Sequence, residues 1–215
     1  LACMDCRHDE WGVDVTVSGS QKGLMLPPGL SFTAVSPKSL AASETSGFVK
    51  SYWRWADMLS TNEKGFFPYT PATNLFYGLR EAIAMLNEEG LDNVFARHAR
   101  HGEATRRAVK AWGLELLCVN PEEFSQSLTA VLMPDDRDAD EFRKVVLDNF
   151  DMSLGSGLGR VAGKVFRIGH LGDFNDLTLG GTLVGVEMGL RLFGFENAGG
   201  GVDAAMDYLT EVRSC

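Results

Sequence analysis

No uninterrupted apolar run in the 215-residue chain approaches the roughly 18 residues that a membrane helix needs. The N-terminus also lacks a basic stretch followed by an apolar one, so neither a helical span nor a secretory leader is expected. Cysteine is scarce: Cys3, Cys6, Cys118 and Cys215 are too few and too scattered for a disulfide framework, which points to a cytosolic protein. The Cys3-x-x-Cys6 spacing suits a redox or metal pair, but no second pair and no flanking strand-helix context supports one. Clusters of Lys and Arg with interleaved aromatics are missing as well. With a net charge of −9 and a pI near 4.9, neither nucleic acid nor an anionic membrane is an expected partner. Internal repeats and low-complexity tracts are likewise not found.

What is present is a globular composition, 45% hydrophobic and 23% charged, enough for one large or two small domains. The sequence opens at Leu1 in mid-pattern and reads as part of something longer. Val13, Val15 and Val17 alternate with Asp14, Thr16 and Ser18, the period of a half-buried strand. A second short strand is expected over residues 29–35, after Pro27-Pro28. Residues 51–73 are aromatic-rich and punctuated by Gly65, Pro68 and Pro71, which predicts a long irregular excursion of functional or interfacial use. Leu75, Leu79, Ile83 and Leu86 then recur at helical spacing up to a C-capping Gly90. A second helix is expected over 92–112, with His98 and His101 on its solvated side and no carboxylate near enough to complete a metal site. Strands at 114–119, 127–133 and 164–168 and helices at 138–150, 175–193 and 202–212 complete a βαβ-like alternation with mixed sheets, an α/β or α+β arrangement.

Lys22, in "SGSQKGLMLPPGLSF", lies just past the first strand with glycine on both sides of its tripeptide, at Gly19 and Gly23. A lysine nucleophile must shed its proton near neutral pH, helped by an apolar or cation-rich pocket, and a strand end gives such a pocket a rigid wall. Glycines let backbone approach a bound group, and Ser18, Ser20 and Gln21 offer hydrogen bonds to a phosphate or ring hydroxyl. From these residues alone an exposed lysine in a turn is the commoner reading, because lysines between strand and loop are common and usually exposed. "GSGLGR" at 155–160 has the glycine density of a phosphate loop but not the dinucleotide fingerprint, and Asp14 falls among the polar positions of its strand.

The lysine segment resembles that of the class V, fold-type-I pyridoxal-phosphate aminotransferases, the serine/alanine–glyoxylate aminotransferase family in particular. "RHDEWGVDVTVSGSQKG", "YTPATNLFYGLREAIAMLNEEGLDNVFARH" and "GKVFRIGHLGDFN" stand in the family's order, and the resemblance covers essentially the whole chain. It implies an α/β fold: the end of the large cofactor domain over residues 1–92, with a dimer-interface loop, plus the smaller α+β C-terminal domain over 93–215. It implies pyridoxal 5'-phosphate as cofactor and Lys22 as the residue that condenses with its aldehyde and later moves a proton. Gln21 matches a residue lying against the cofactor phosphate. Thr70 matches a threonine that reaches the phosphate of the other subunit. Phe67 stands where relatives often carry a tyrosine that touches that phosphate; the hydroxyl is missing here. Arg167 matches the arginine that grips the substrate carboxylate, a task suited to a planar guanidinium with two parallel donors. Residues 155–160 correspond to a connection near the substrate.

The implied activity is transfer of an amino group from serine or alanine to glyoxylate by a ping-pong mechanism in a homodimer, with small amino and 2-oxo acids as partners. The family's pyridinium-binding aspartate, phosphate turn and ring-stacking aromatic would lie upstream of Leu1. A non-catalytic fragment is therefore an alternative, as is another class V enzyme such as a cysteine desulfurase, although Cys118 and Cys215 fall outside any matching loop.

Overall fold

Alternating Val15-Thr16-Val17-Ser18 has the period of a strand, and in the computed structural model, which describes residues 1–196 and 198–211, it forms β1 (Val15–Gly19). β1 pairs antiparallel with β2 (Ser31–Val35), Val15 opposite Val35 and Gly19 opposite Ser31, so the lysine segment connects the two strands of a hairpin. The valine face expected to be half buried is more open than that: Val17 is 67% exposed. These two strands form a sheet of their own, and among the described residues no second layer covers that side.

Helix α1 (Pro37–Thr45) starts at Ser36, whose hydroxyl accepts the Ser39 N–H, with Pro37 in the first turn where no donor is needed. The aromatic stretch is not wholly irregular as expected. It contains a 3-10 turn at Ser51–Trp53 and helix α2 (Trp55–Asn62), because Gly65, Pro68 and Pro71 all fall after the last helical residue. Helices α3 (Thr73–Glu89) and α4 (Leu91–Ala111) meet at Gly90, whose φ of +82° is the left-handed conformation that favours glycine. The chain forms two compact units: residue 1 with 5–88, and residues 2–4 with 89 onward.

The second unit is built on a four-stranded sheet of β3 (Glu115–Leu116), β4 (Leu128–Leu132), β5 (Gly155–Ser156) and β6 (Val165–Gly169), in the order β3-β4-β6-β5. Every pairing is antiparallel, which corrects the mixed sheet inferred from the element order. The connection from β5 to β6 spans only residues 157–164, too short for the crossover that a parallel pair demands. Helix α5 (Ala139–Phe150) precedes β5 and is capped by Asp138, whose carboxylate accepts the N–H groups of Asp140 and Glu141. Helices α6 (Asp176–Leu192) and α7 (Gly201–Glu211) complete the unit; Val212 of the expected last helix and Cys215 lie outside the described residues.

Alternation sorts β6 into two faces. Phe166 and Ile168, opposite Val131 and Thr129 of β4, are buried toward a core of Trp112, Phe142, Val146, Leu179, Leu183 and Leu190. Each such side chain contributes about 1.5–3 kcal/mol of burial. Gly189 permits close packing of α6 on α5, since a Cβ there would lie 2.5 Å from Val146. Arg167 stands on the other face of β6, opposite Ala130 on β4 and Gly155 on β5. Among the described residues no helix is long and apolar enough to cross a membrane.

Candidate active site

The lysine loop is held by one buried residue. The Ser20 amide donates to the Leu30 carbonyl at 3.0 Å and its carbonyl accepts the Leu26 N–H at 3.1 Å. Its hydroxyl donates to the Pro27 carbonyl at 2.8 Å and accepts the Leu30 N–H at 3.2 Å. Ser20 is fully buried, so each of these bonds offsets a desolvation cost that water would otherwise relieve. Within this frame Met25 adopts a left-handed φ of +60° and its N–H closes a turn onto the Lys22 carbonyl at 2.9 Å. Leu26 is buried, and its side chain lies where α3 has Gly78; a Cβ there would come within 3.0 Å of it.

Gln21 and Lys22 are displayed outward from this scaffold. Lys22 Nζ has neither a hydrogen bond nor an ion pair among the described residues, and the Gln21 amide likewise makes none. Gln21 folds back over Gly19, where an added Cβ would sit 2.7 Å from Oε1. The loop therefore holds an uncommitted amine beside an uncommitted amide on rigid backbone, a donor set that fits a group bearing both a carbonyl and an anion. Asp14 is otherwise occupied: Lys38 Nζ at 2.6 Å and the Ser36 hydroxyl at 2.9 Å hold its carboxyl below the usual carboxylate range.

Phe67 and Thr70 are exposed and occupy the segment between α2 and α3. Phe67 packs against Phe76 with ring centroids 5.0 Å apart, and Tyr69 packs on Tyr52 at 4.7 Å. Both Phe67 and Thr70 line a concavity of about 940 Å³ whose other walls include Gly29 and Leu30, at the base of the lysine loop, and Phe32 of β2. Gln21 and Lys22 are not part of that lining, so the structure does not bring them together with Thr70 there.

Arg167 belongs to the second unit. Its Nε is buried without a partner, and no hydrogen bond or ion pair engages its guanidinium among the described residues. The segment that follows it is gripped by α4, and here His98 and His101 correct the expectation of a solvated helix face: both are buried. Arg97 donates to the carbonyls of Gly172 and Phe174 at 2.9 and 3.0 Å while pairing with Glu89. His98 donates from Nδ1 to the Val94 carbonyl, so its Nε2 is the acceptor for the Gly172 N–H at 3.1 Å. Arg100 and His101 both bind the carboxylate of Asp176, the first residue of α6.

Burial pushes the pKa of His98 and of His101 down. His170, three residues beyond Arg167 and fully buried, is pushed down to about 4 for the same reason. A carbonyl can only accept, so His170 Nδ1 donates to Gln126 and its Nε2 accepts from the Thr129 hydroxyl. Spacing pointed to none of these roles, because the partners of α4 lie about 75 residues further along the chain. Among the described residues no group of three or more His, Cys, Asp or Glu is arranged to hold a metal; Cys3 is buried and Cys6 exposed, both as free thiols, and Cys118 donates to the Asn120 carbonyl.

Similarity to known proteins accords with this geometry. A serine–glyoxylate aminotransferase of Methylorubrum extorquens is 51% identical over 98% of this chain and 54% of its own length. An L-aspartate–glyoxylate aminotransferase of Paracoccus denitrificans is 44% identical over the whole chain and 54% of its length. Among solved structures, a pyridoxamine–pyruvate aminotransferase of Mesorhizobium loti superposes with a TM-score of 0.90 at 27% identity, covering 98% of this chain and 55% of that one. The chain thus spans about half the length of the curated relatives it matches, and its architecture is that of the fold-type-I pyridoxal-phosphate aminotransferases. Residues 3–158 match the aminotransferase class-V family, and the chain belongs to it.

Proposed function

We propose that the chain supplies the reactive lysine and the carboxylate-binding arginine of a pyridoxal-phosphate-dependent transaminase that moves an amino group from serine or alanine to glyoxylate by a ping-pong route. The observation that carries this reading is Lys22: an amine without a partner among the described residues, displayed by a loop whose backbone is pinned through buried Ser20. Relatives named for serine and for aspartate as donor have glyoxylate in common, which favours the acceptor over any one donor. On this reading residues 1–92 are cofactor domain and residues 93–215 the smaller domain.

Bound pyridoxal phosphate would supply the electron sink for the carbanion formed at the substrate Cα. Lys22 Nζ would hold the cofactor through its aldehyde, give way to the incoming amine, and then carry the proton away from Cα. Gln21, one residue earlier on the same rigid loop, would lie against the phosphate. Arg167 would fix the substrate carboxylate with two parallel N–H donors, setting the angle at which the Cα–H bond meets the ring. Its lack of a counter-charge among the described residues supports that role, because an unpaired guanidinium is an incomplete site.

Thr70 would serve the phosphate of a second copy, with Phe67 beside it contributing ring surface and no hydroxyl. Their placement on a concavity that excludes Lys22 of the same chain supports service to a partner. So does the exposed aromatic surface around them, where Trp53, Phe66 and Tyr77 are each about 70% exposed.

The test is to incubate the chain with pyridoxal phosphate, reduce with borohydride, and map the modified peptide. Stoichiometric modification confined to Lys22 is expected; modification scattered over other lysines, or none, overturns the assignment.

A further inference from the structure

We propose that Gly155 is a positioning residue for Arg167: the bare backbone of β5 is the bed on which the guanidinium lies, and a side chain there would re-aim it. The inference rests on the reading of Arg167 as the carboxylate site.

The strand register places Gly155 directly opposite Arg167. A Cβ built on Gly155 would lie 3.1 Å from both Cβ and Nε of Arg167 and 3.6 Å from Cζ. Two side chains facing each other across an antiparallel pair normally keep their Cβ atoms about 4.5–5.5 Å apart, so Arg167 occupies space that a residue at 155 would claim. Glycine is a poor strand former, and its presence inside a ladder marks a close approach. Backbone conformation does not explain it: Gly155 is not among the residues with left-handed φ, so an alanine is conformationally admissible there. Tight space favours the glycine, and Arg167 is what fills the space.

The consequence is functional because nothing else among the described residues fixes the guanidinium. Its Nε is covered but unbonded, and no carboxylate or carbonyl orients the terminal nitrogens. The usual device for holding an arginine, an ion pair on a neighbouring element, would also consume the donors needed for a ligand. A flat steric bed holds the plane of the fork and leaves both Nη groups to the ligand. A Cβ at 155 would oblige Arg167 to give way by at least a few tenths of an ångström, and a small re-aiming of a positioned group costs much of its effect.

The experiment uses the full 215-residue chain, ¹⁵N-labelled, as wild type, Gly155→Ala and Arg167→Gln, titrated with glycolate, a small carboxylate without a reactive aldehyde. The arginine Nε–H resonance lost in Arg167→Gln identifies Arg167. In wild type that signal is expected to move saturably with glycolate. In Gly155→Ala the dissociation constant is expected to rise about tenfold or more with the thermal midpoint unchanged, and the Nε–H to exchange faster with solvent. Equal affinity and equal exchange in Gly155→Ala, with binding lost in Arg167→Gln, would overturn the positioning role and leave the carboxylate reading intact. Glycolate binding that survives Arg167→Gln, or is lacking in wild type, would overturn the carboxylate reading itself. Should Gly155→Ala fail to fold, the double variant with Arg167→Gly, which removes Cβ, Nε and Cζ from the collision, is expected to recover; failure to recover would also overturn the inference.

Discussion

His101 Nε2 donates to Asp176 Oδ1 across 2.9 Å, joining the buried face of α4 to the first turn of α6. Arg100 grips the same carboxylate with both terminal nitrogens, at 2.7 and 3.1 Å, so one anion satisfies two cationic or proton-bearing side chains. Asp176 is itself largely covered. Asp176→Asn keeps the shape and removes the charge, leaving Arg100 without its main counter-ion in a poorly hydrated site. We expect a loss of about 3 kcal/mol of unfolding free energy, measured by urea titration at pH 7.5. A loss below about 1 kcal/mol would mean that the junction behaves as an exposed ion pair.

The buried histidines set an acid limit on the second unit. His170 has a pKa of about 4 in the fold against an ordinary value of 6.5, because burial opposes its charging. Between those values the unfolded chain binds a proton that the folded chain refuses, so stability is complete above about pH 6.5 and falls as pH drops toward 4. The contribution lost across that window is about 3 kcal/mol. His98 and His101, also pushed down by burial, act in the same direction. Unfolding free energies measured from pH 7.5 to 4 should fall more steeply for wild type than for His170→Gln; parallel curves would show that His170 charges without cost.

These histidines also show where sequence reading stopped. Helix α4 was legible as a helix, yet its buried face includes His98, His101 and Thr105, which look polar. His98 bonds Val94 and Gly172, His101 bonds Asp176 through Nε2 while its buried Nδ1 has no partner among the described residues, and Thr105 donates to the His101 carbonyl. Gly172 and Asp176 come from a segment about 75 residues away that no local pattern reveals. Strand β5 was read only as a glycine-rich loop, because Gly155-Ser156 has no strand propensity and is a strand only by pairing with β6. The lysine loop was legible because its signals are local: an alternating strand, flanking glycines and a Pro-Pro stop. The role of Ser20 beneath it was not, since a serine in a turn gives no sign of being fully buried.

Gly201 opens α7 in contact with the largest buried ring of the core. A Cβ there would lie 2.1 Å from Trp112 Nε1, which donates to Glu187 Oε2 at 2.9 Å. The Glu187 carboxylate also accepts the Val202 N–H and pairs with Arg191. Burial raises its pKa, but these bonds outweigh burial and the net shift is downward. Gly201→Ala is therefore expected to move Trp112 off its acceptor. We expect a cost of about 2 kcal/mol or more in urea unfolding, together with a shifted indole N–H resonance. An unshifted indole signal would mean that the helix start moves instead.

Lys22 carries no structural duty. With no partner for Nζ among the described residues, Lys22→Ala should change the unfolding free energy by less than about 0.5 kcal/mol. The same variant should lose all borohydride-stable modification by pyridoxal phosphate at the loop. Ser20→Ala is the opposite case: it leaves the Leu30 N–H and the Pro27 carbonyl without their hydroxyl partner and should cost about 1–3 kcal/mol while the lysine itself remains. Equal stability of the two variants would show that the loop is not held through Ser20.

Arg167 yields the least intuitive expectation. Its guanidinium has no counter-charge or hydrogen bond among the described residues, and its Nε is buried. Desolvating a donor without replacing its bond is unfavourable, so the fold carries this group at a cost. Arg167→Met keeps the length and the apolar stem that packs across Gly155 while removing the unsatisfied nitrogens. Stability should therefore stay level or rise by up to about 1 kcal/mol, while glycolate no longer binds. A fall of more than about 1 kcal/mol in urea unfolding would mean that the guanidinium is bonded within the folded protein, and a site already filled in that way could not be waiting for a substrate carboxylate.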